Sequence, residues 1–237
     1  MLLSALLLLP VALGAQQCPA VLDPEVEPAL ACFVDRSSTC PADRPHCFGL
    51  HLHIALGTHP QGPVIDPEWL DAELEHAFKL FAPAGIGFQI EAVDAIGAEF
   101  QHVATREQRD AIGRERFDRG QIHIFLVARL DDVDAPGEQI RGVHWRQRSA
   151  TDKRWIILSK IGSKVVMAHE LGHFFGLPHS TYTRSVMNKR PREAPPWDQR
   201  VFVPDELDIV LSRRDAMLRD GTLVEQAPRS APERRAD

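Results

Sequence analysis

The chain has 237 residues, 44% of them hydrophobic and 25% charged, the balance of a soluble globular protein long enough for one domain with a sizeable core. Its net charge of -6 and pI near 6.0 give no footprint for nucleic acid or an anionic membrane surface, which argues against both as partners. Eleven histidines exceed average usage and make metal chemistry worth looking for.

The chain opens with "MLLSALLLLPVALGA", an apolar run ending in small residues, which reads as a signal peptide over 1–15 cleaved after Gly14 or Ala15. The run is shorter than the roughly 20 residues a spanning helix needs, and polar Gln16 and Gln17 follow it. No Lys or Arg precedes it, which leaves room for a start further upstream. Gln in the two positions before Cys18 does not suit a lipid anchor. The mature protein is therefore expected to be secreted, outside the cytoplasm. Cys18, Cys32, Cys40 and Cys47 are all the cysteines, and an even set outside the cytosol reads as two disulfides with three possible connectivities. They would staple a Pro-rich segment, 16–47, that has little core of its own and is a candidate pro-segment. Free thiols, or one inhibitory cysteine ligand in a pro-segment, are the alternatives.

"FGLHLHIALG" (48–57) alternates Leu50, Leu52 and Ile54 with His51, His53 and Ala55, the pattern of a half-buried strand. His51 and His53 point the same way; such a pair more often lines a polar face than holds a metal. Asp66-Pro67-Glu68 opens a helix with an N-cap acceptor, a first-turn proline and an acid at the positive helix end. Its apolar stripe is Leu70, Leu74, Ala77, Phe78 and Phe81, and Pro83 and Gly85 end it. "IGFQIEAV" (86–93) is a second strand, 104–117 is helical, and "QIHIFLVARL" (121–130) is apolar enough for a central strand. Asp131, Asp132, Asp134 and Glu138 follow in a loop that a Ca2+ ion would suit, although a solvated loop is the simpler reading. "IRGVHW" (140–145) and "RWIILS" (154–159) are short strands. A helix starts near Gly162, a Pro-rich loop covers 188–200, and a last helix opens at Val203-Pro204-Asp205-Glu206 with the stripe Leu207, Val210, Leu211 and Leu218. Gly221 closes it, and 221–237 reads as a disordered tail. This order describes an α/β (α+β layered) domain over 48–220.

The decisive stretch is "VVMAHELGHFFGLPHS" (165–180). His169 and His173 are four apart, so a helix projects both from one face, where two imidazoles can grip one zinc ion. Glu170 lies about 100° round the axis, within reach of an activated water yet off the coordination positions. Hydrolysis needs this combination: a metal to acidify water and a carboxylate to shuttle its proton. His-Glu-x-x-His alone arises by chance in about one chain in a hundred, and adding Gly176 and His179 cuts that by several hundred-fold. Gly176 sits where a left-handed residue would end the helix so that His179 can return as a third ligand. Three imidazoles plus water make an open, catalytic set.

At these residues the sequence resembles the metzincin metallopeptidases, whose extended signature H-E-x-x-H-x-x-G-x-x-H is matched by "HELGHFFGLPH". The resemblance covers 165–188 most strongly, and Ser180 after the last histidine is most like the matrixin branch or related bacterial secreted members. It implies a mixed, twisted, roughly five-stranded sheet with an active-site helix, a Met-turn and a C-terminal helix. It also implies one catalytic Zn2+ on His169, His173 and His179, with Glu170 as general base, Gly176 as the turn and Met187 as the hydrophobic base of the site. The substrate would be a protein or peptide lying along an edge strand, for which "IRGVHW" is the candidate. Lys189, Arg190 and Arg192 would lie along the wall of its pocket. Tyr182, the one tyrosine, lies between His179 and Met187 rather than after Met187, and no matrixin structural-metal loop is evident over 131–153, so no structural zinc is carried over. The reading is a secreted, monomeric zinc metalloendopeptidase; its rivals are a zinc amidase acting on cell-wall peptides and a zinc-holding module without catalysis.

Overall fold

A computed structural model describes residues 40, 43–59, 62–63, 66–162, 164–189 and 195–227. The apolar run over 1–15 expected to be a signal peptide, Cys18, Cys32, Arg190, Arg192 and the chain from 228 onward lie outside the described residues. Nine main elements follow in order: β1 (His46–Ala55), α1 (Pro67–Phe81), β2 (Ile86–Ile96), α2 (Arg106–Arg114), β3 (Ile122–Val127), β4 (Gly142–Gln147), β5 (Ala150–Ser159), α3 (Val166–Phe174) and α4 (Pro204–Arg219).

The five strands form one mixed sheet in the order β2-β1-β3-β5-β4. β2, β1, β3 and β5 run parallel, and β4 closes one edge antiparallel to β5. α1 and α2 are the helical crossovers from β1 to β2 and from β2 to β3, whereas β3 reaches its parallel partner β5 through a loop and β4. β3 is buried at every position, which accounts for its unbroken apolar run with one polar exception, His123.

Register sorts the side chains to two faces. Leu50 pairs with Ile122, Leu52 with Ile124, and Ile124 with Ile156, so these share a face. Gly142 of β4 belongs to that face, because a Cβ there would meet Val166 and Glu170 of α3. His51 pairs with His123 and His53 with Phe125, on the opposite face. Trp155 is on that second face: its ring packs on Gly113 of α2, where a Cβ would come within 2.4 Å, and its Nε1–H donates to Arg109 O at 3.1 Å. The sheet thus has α1 and α3 on one side and α2 on the other.

α1 is capped as its sequence predicts: Asp66 Oδ1 accepts from Glu68 N–H at 2.9 Å, and Leu70, Leu74, Ala77 and Phe81 are buried. α3 starts at Val166, later than expected, since Gly162 N–H turns back onto Ser159 O at 2.9 Å and Trp69 Nε1–H donates to Gly162 O at 3.0 Å. In α4 the fully buried pair is Val210 and Met217, while Leu207, Leu211 and Leu218 are only partly covered. The fold does not stop at Gly221. Leu223 is buried, Gln226 N–H donates to Cys47 O at 2.9 Å, and Glu225 pairs with His46, so 221–227 lies along the sheet. The reason is that Leu223 fills a core position beside Gly120. One disulfide is present among the described residues, Cys40–Cys47, tying the approach segment to β1. No helix among them is long and apolar enough to cross a membrane.

Glu73, inside α1, is fully buried, and its Oε2 accepts from Met167 N–H at 2.8 Å, so a carboxyl from one helix caps another. Burial pushes its pKa up to about 8, against the smaller opposing effect of the Met167 and Val166 amides. A pKa raised above its unfolded value of about 4.5 means that the native state holds the extra proton. The associated stability is complete below about pH 4.5 and is lost as pH rises to about 8. Glu73→Gln keeps an acceptor and cannot ionise. Thermal melts from pH 5 to 8 should therefore show the wild type losing ground steadily to the variant, by up to about 1.4 kcal/mol per pH unit; parallel curves would mean that Glu73 is ionised throughout.

Candidate active site

α3 carries His169 and His173 one turn apart, with ring centroids 4.7 Å from each other. The helix ends at Gly176, whose φ of +91° is the left-handed conformation that glycine adopts without strain. Leu177 N–H closes onto Gly172 O at 2.9 Å and Gly176 N–H onto His173 O at 3.0 Å. This reversal returns the chain so that His179 stands 4.8 Å from His173 and 5.6 Å from His169 between ring centroids. One nitrogen from each of the three rings lies within 4.8 Å of the others.

The backbone orients two of these rings. His169 Nδ1 donates to Val186 O at 2.9 Å and His173 Nδ1 donates to Leu177 O at 2.7 Å. A carbonyl only accepts, so Nδ1 carries the hydrogen and Nε2 is left with its lone pair. Burial depresses the pKa of all three rings, His173 to about 4 with His169 beside it adding to the effect, so they are neutral at pH 7. The donor set fits one ion. Nε2 of His173 and Nε2 of His179 are 3.3 Å apart, close to the tetrahedral edge of about 3.3–3.4 Å that metal–nitrogen bonds of about 2.0–2.1 Å produce.

Glu170 is buried beneath β4. His144 N–H donates to its Oε2 at 2.7 Å, and Gly142 makes room for it, since a Cβ there would fall 2.9 Å from Glu170 Cγ. Burial pushes the Glu170 carboxyl up to about 8, opposed by the His144 amide and by the Arg109 guanidinium; a divalent cation alongside acts in the same direction as Arg109. β4 itself, the strand anticipated at 140–145, is the sheet edge above the site. A cleft of about 1040 Å³ runs between it and the three histidines, with Lys189 and Arg200 on its rim.

Residues 95–202 match the family model described as Matrixin. Over this span the chain is similar to the matrixins, zinc metalloendopeptidases of the metzincin clan. The matched span runs from the end of β2 through α3 to Phe202, and the observed mixed sheet with its helices is that of such a domain. No curated protein matches the chain. Among solved structures, the chain is similar to one described as "Structure of a chaperone-substrate complex", with a TM-score of 0.43 and 14% identity, over 78% of this chain and 40% of the length of that one.

Met187 is fully buried directly under the matrixin-like helix, against Gly172, where a Cβ would meet Met187 Sδ at 2.5 Å. The turn holding Met187 is tied on both sides. Ser180 N–H donates to Met187 O at 3.1 Å, and Met187 N–H donates to Ser185 Oγ at 2.9 Å. Ser185 Oγ–H in turn reaches Glu206 of α4 at 2.8 Å, whose other oxygen accepts from Val203 N–H at 3.0 Å. Gly172, Ser185, Gly142 and Glu73 were not singled out from the sequence, and Glu206 was read only as part of a helix start. Gly172 alone carried a signal, a glycine inside a helix. The acidic loop gives calcium no support: Asp131 pairs with Arg129 and His102, Asp134 pairs with Arg106, and Asp132 accepts from Asp134 N–H.

Gly172→Ala forces Met187 or α3 to shift, a cost of about 1–3 kcal/mol for an overpacked core. Urea unfolding should register that loss with an unchanged m-value, and zinc affinity should fall with it. Wild-type stability and affinity would mean that Met187 does not set the height of the helix.

Proposed function

We propose that the chain is a secreted zinc-dependent endopeptidase in which His169, His173 and His179 hold the ion and Glu170 is the general base. The observation that carries this reading is the convergence of three neutral imidazoles beside a buried carboxyl, in a cleft under an edge strand. A bound zinc ion supplies Lewis acidity toward water and the scissile carbonyl. Glu170 takes a proton from the attacking water as the new C–O bond forms, and returns it to the amine as the C–N bond breaks. A carboxyl whose burial favours the protonated form is suited to holding that proton between the two events.

The backbone of β4 offers an extended peptide a strand to pair with, so the substrate is a peptide or protein segment lying along 142–147. Gly176 turns the chain toward His179, and Met187 is the apolar floor beneath the ligands. Secretion draws support from the Cys40–Cys47 disulfide, which persists in oxidising compartments. Since β1 begins at His46 and Cys47 lies within it, a removable pro-segment would have to end before Cys40.

Glu170→Ala should leave one zinc on these histidines by elemental analysis and lower kcat on a casein or gelatin substrate by about 10²–10⁴-fold. A variant that cleaves as well as its parent would remove Glu170 from the mechanism. Phenanthroline should silence the wild type and added zinc should restore it; activity that survives full chelation would refute metal dependence.

A further inference from the structure

On the opposite face of the sheet lies a second histidine cluster that the peptidase reaction does not use. His51 and His53 alternate along β1, and parallel register sets His123 of β3 directly beside His51. Their rings are close: centroids are 4.0 Å apart for His51 and His53, 5.2 Å for His51 and His123, and 5.3 Å for His53 and His123. One nitrogen from each ring lies within 4.8 Å of the others, the same span as in the active-site cluster. His53 and His123 are about 1% and 0% exposed, so this is a built interior site rather than a surface grouping.

The hydrogen bonds around it do not close. His123 Nε2 lies 2.8 Å from Asp118 Oδ1, and His53 Nε2 contacts His123 Nδ1 at 3.0 Å. His51 Nε2 donates to Asp94 Oδ2 at 2.6 Å. That leaves Nδ1 of His51 and Nδ1 of His53 buried with no hydrogen-bond partner. Unpaired buried polar atoms are uncommon, and two on adjacent stacked rings ask for a shared partner. Asp94, on the neighbouring strand β2 at the position paired with His53, brings Oδ2 within 3.7 Å of His53 Nδ1.

We propose that His51, His53 and His123, with Asp94 as fourth ligand, form a second divalent-metal site of structural type, selective for zinc. Three imidazoles and one carboxylate make a closed tetrahedral set with no position left for substrate. Such an ion would cross-link β2, β1 and β3 on the face remote from α3. The site does not rest on the peptidase reading and is separated from its ligands by the thickness of the sheet.

The experiment is elemental zinc analysis of the full chain after removal of loosely bound metal. The wild type should carry about two equivalents, and the His169→Ala/His173→Ala variant should keep about one. His51→Ala/Asp94→Asn, which alters the less buried half of the cluster and so spares the fold, should also fall to about one. In the His169→Ala/His173→Ala background, cobalt should give the visible absorption of a tetrahedral site. A wild type with a single equivalent, together with none in the His169→Ala/His173→Ala variant, would overturn the second site. So would an unchanged metal content in His51→Ala/Asp94→Asn.

Discussion

A metal-binding imidazole is oriented by whatever holds its other nitrogen, and for His169 and His173 the backbone does the holding. The Val186 and Leu177 carbonyls fix the rings of His169 and His173 in one tautomer and one orientation. Neither carbonyl belongs to α3. One comes from the turn beneath the helix, the other from the chain just past Gly176. Ligand geometry therefore depends on two irregular segments staying where they are, and much of the surrounding structure serves that requirement.

The support is a chain of buried contacts running from α4 to the helix. Glu206 holds Ser185, Ser185 holds the Met187 amide, and Met187 presses its sulfur against the bare backbone at Gly172. At the other end of α3, Glu73 accepts the Met167 amide that would otherwise be unpaired. Each of these is a polar group taken out of water, acceptable only because its partner is fixed. The helix that presents the histidines is thus clamped at its start by α1 and from beneath by the Met-turn. Between them Gly142 lets Glu170 lie close under β4.

How far this was legible in the sequence follows from the range of each interaction. The strands, α1 with its Asp66 cap and the left-handed turn at Gly176 depend on neighbours within a few residues, and each left a local pattern. The convergence of His169, His173 and His179 is likewise a matter of helix pitch and one turn. The Ser185–Glu206 and Glu73–Met167 contacts join residues 21 and 94 positions apart, and no spacing rule reaches them. The packed end of the fold at Leu223 was hidden for the same reason: a lone leucine in a polar tail shows its role only once Gly120 is beside it. The start of α3 was misplaced because Trp69, from another helix, holds Gly162 in a turn.

The two histidine clusters make the contrast sharper. Along β1 the alternation put His51 and His53 on one face, and a polar face was the simpler account of them. What changes that account is parallel register, which brings His123 from a strand 70 residues away onto the same patch and seals the patch with Phe125 stacked on His53. A polar face is open to solvent, and His53 and His123 are closed off from it. The active-site histidines are arranged by a helix and a loop, which leave one side of the set open toward a cleft. The sheet cluster is arranged by three strands of a rigid framework and closed by a carboxylate. The same ligand chemistry therefore leads to opposite expectations, an exchangeable position for chemistry on one face and a fixed cross-link on the other, because the backbone that carries the imidazoles differs.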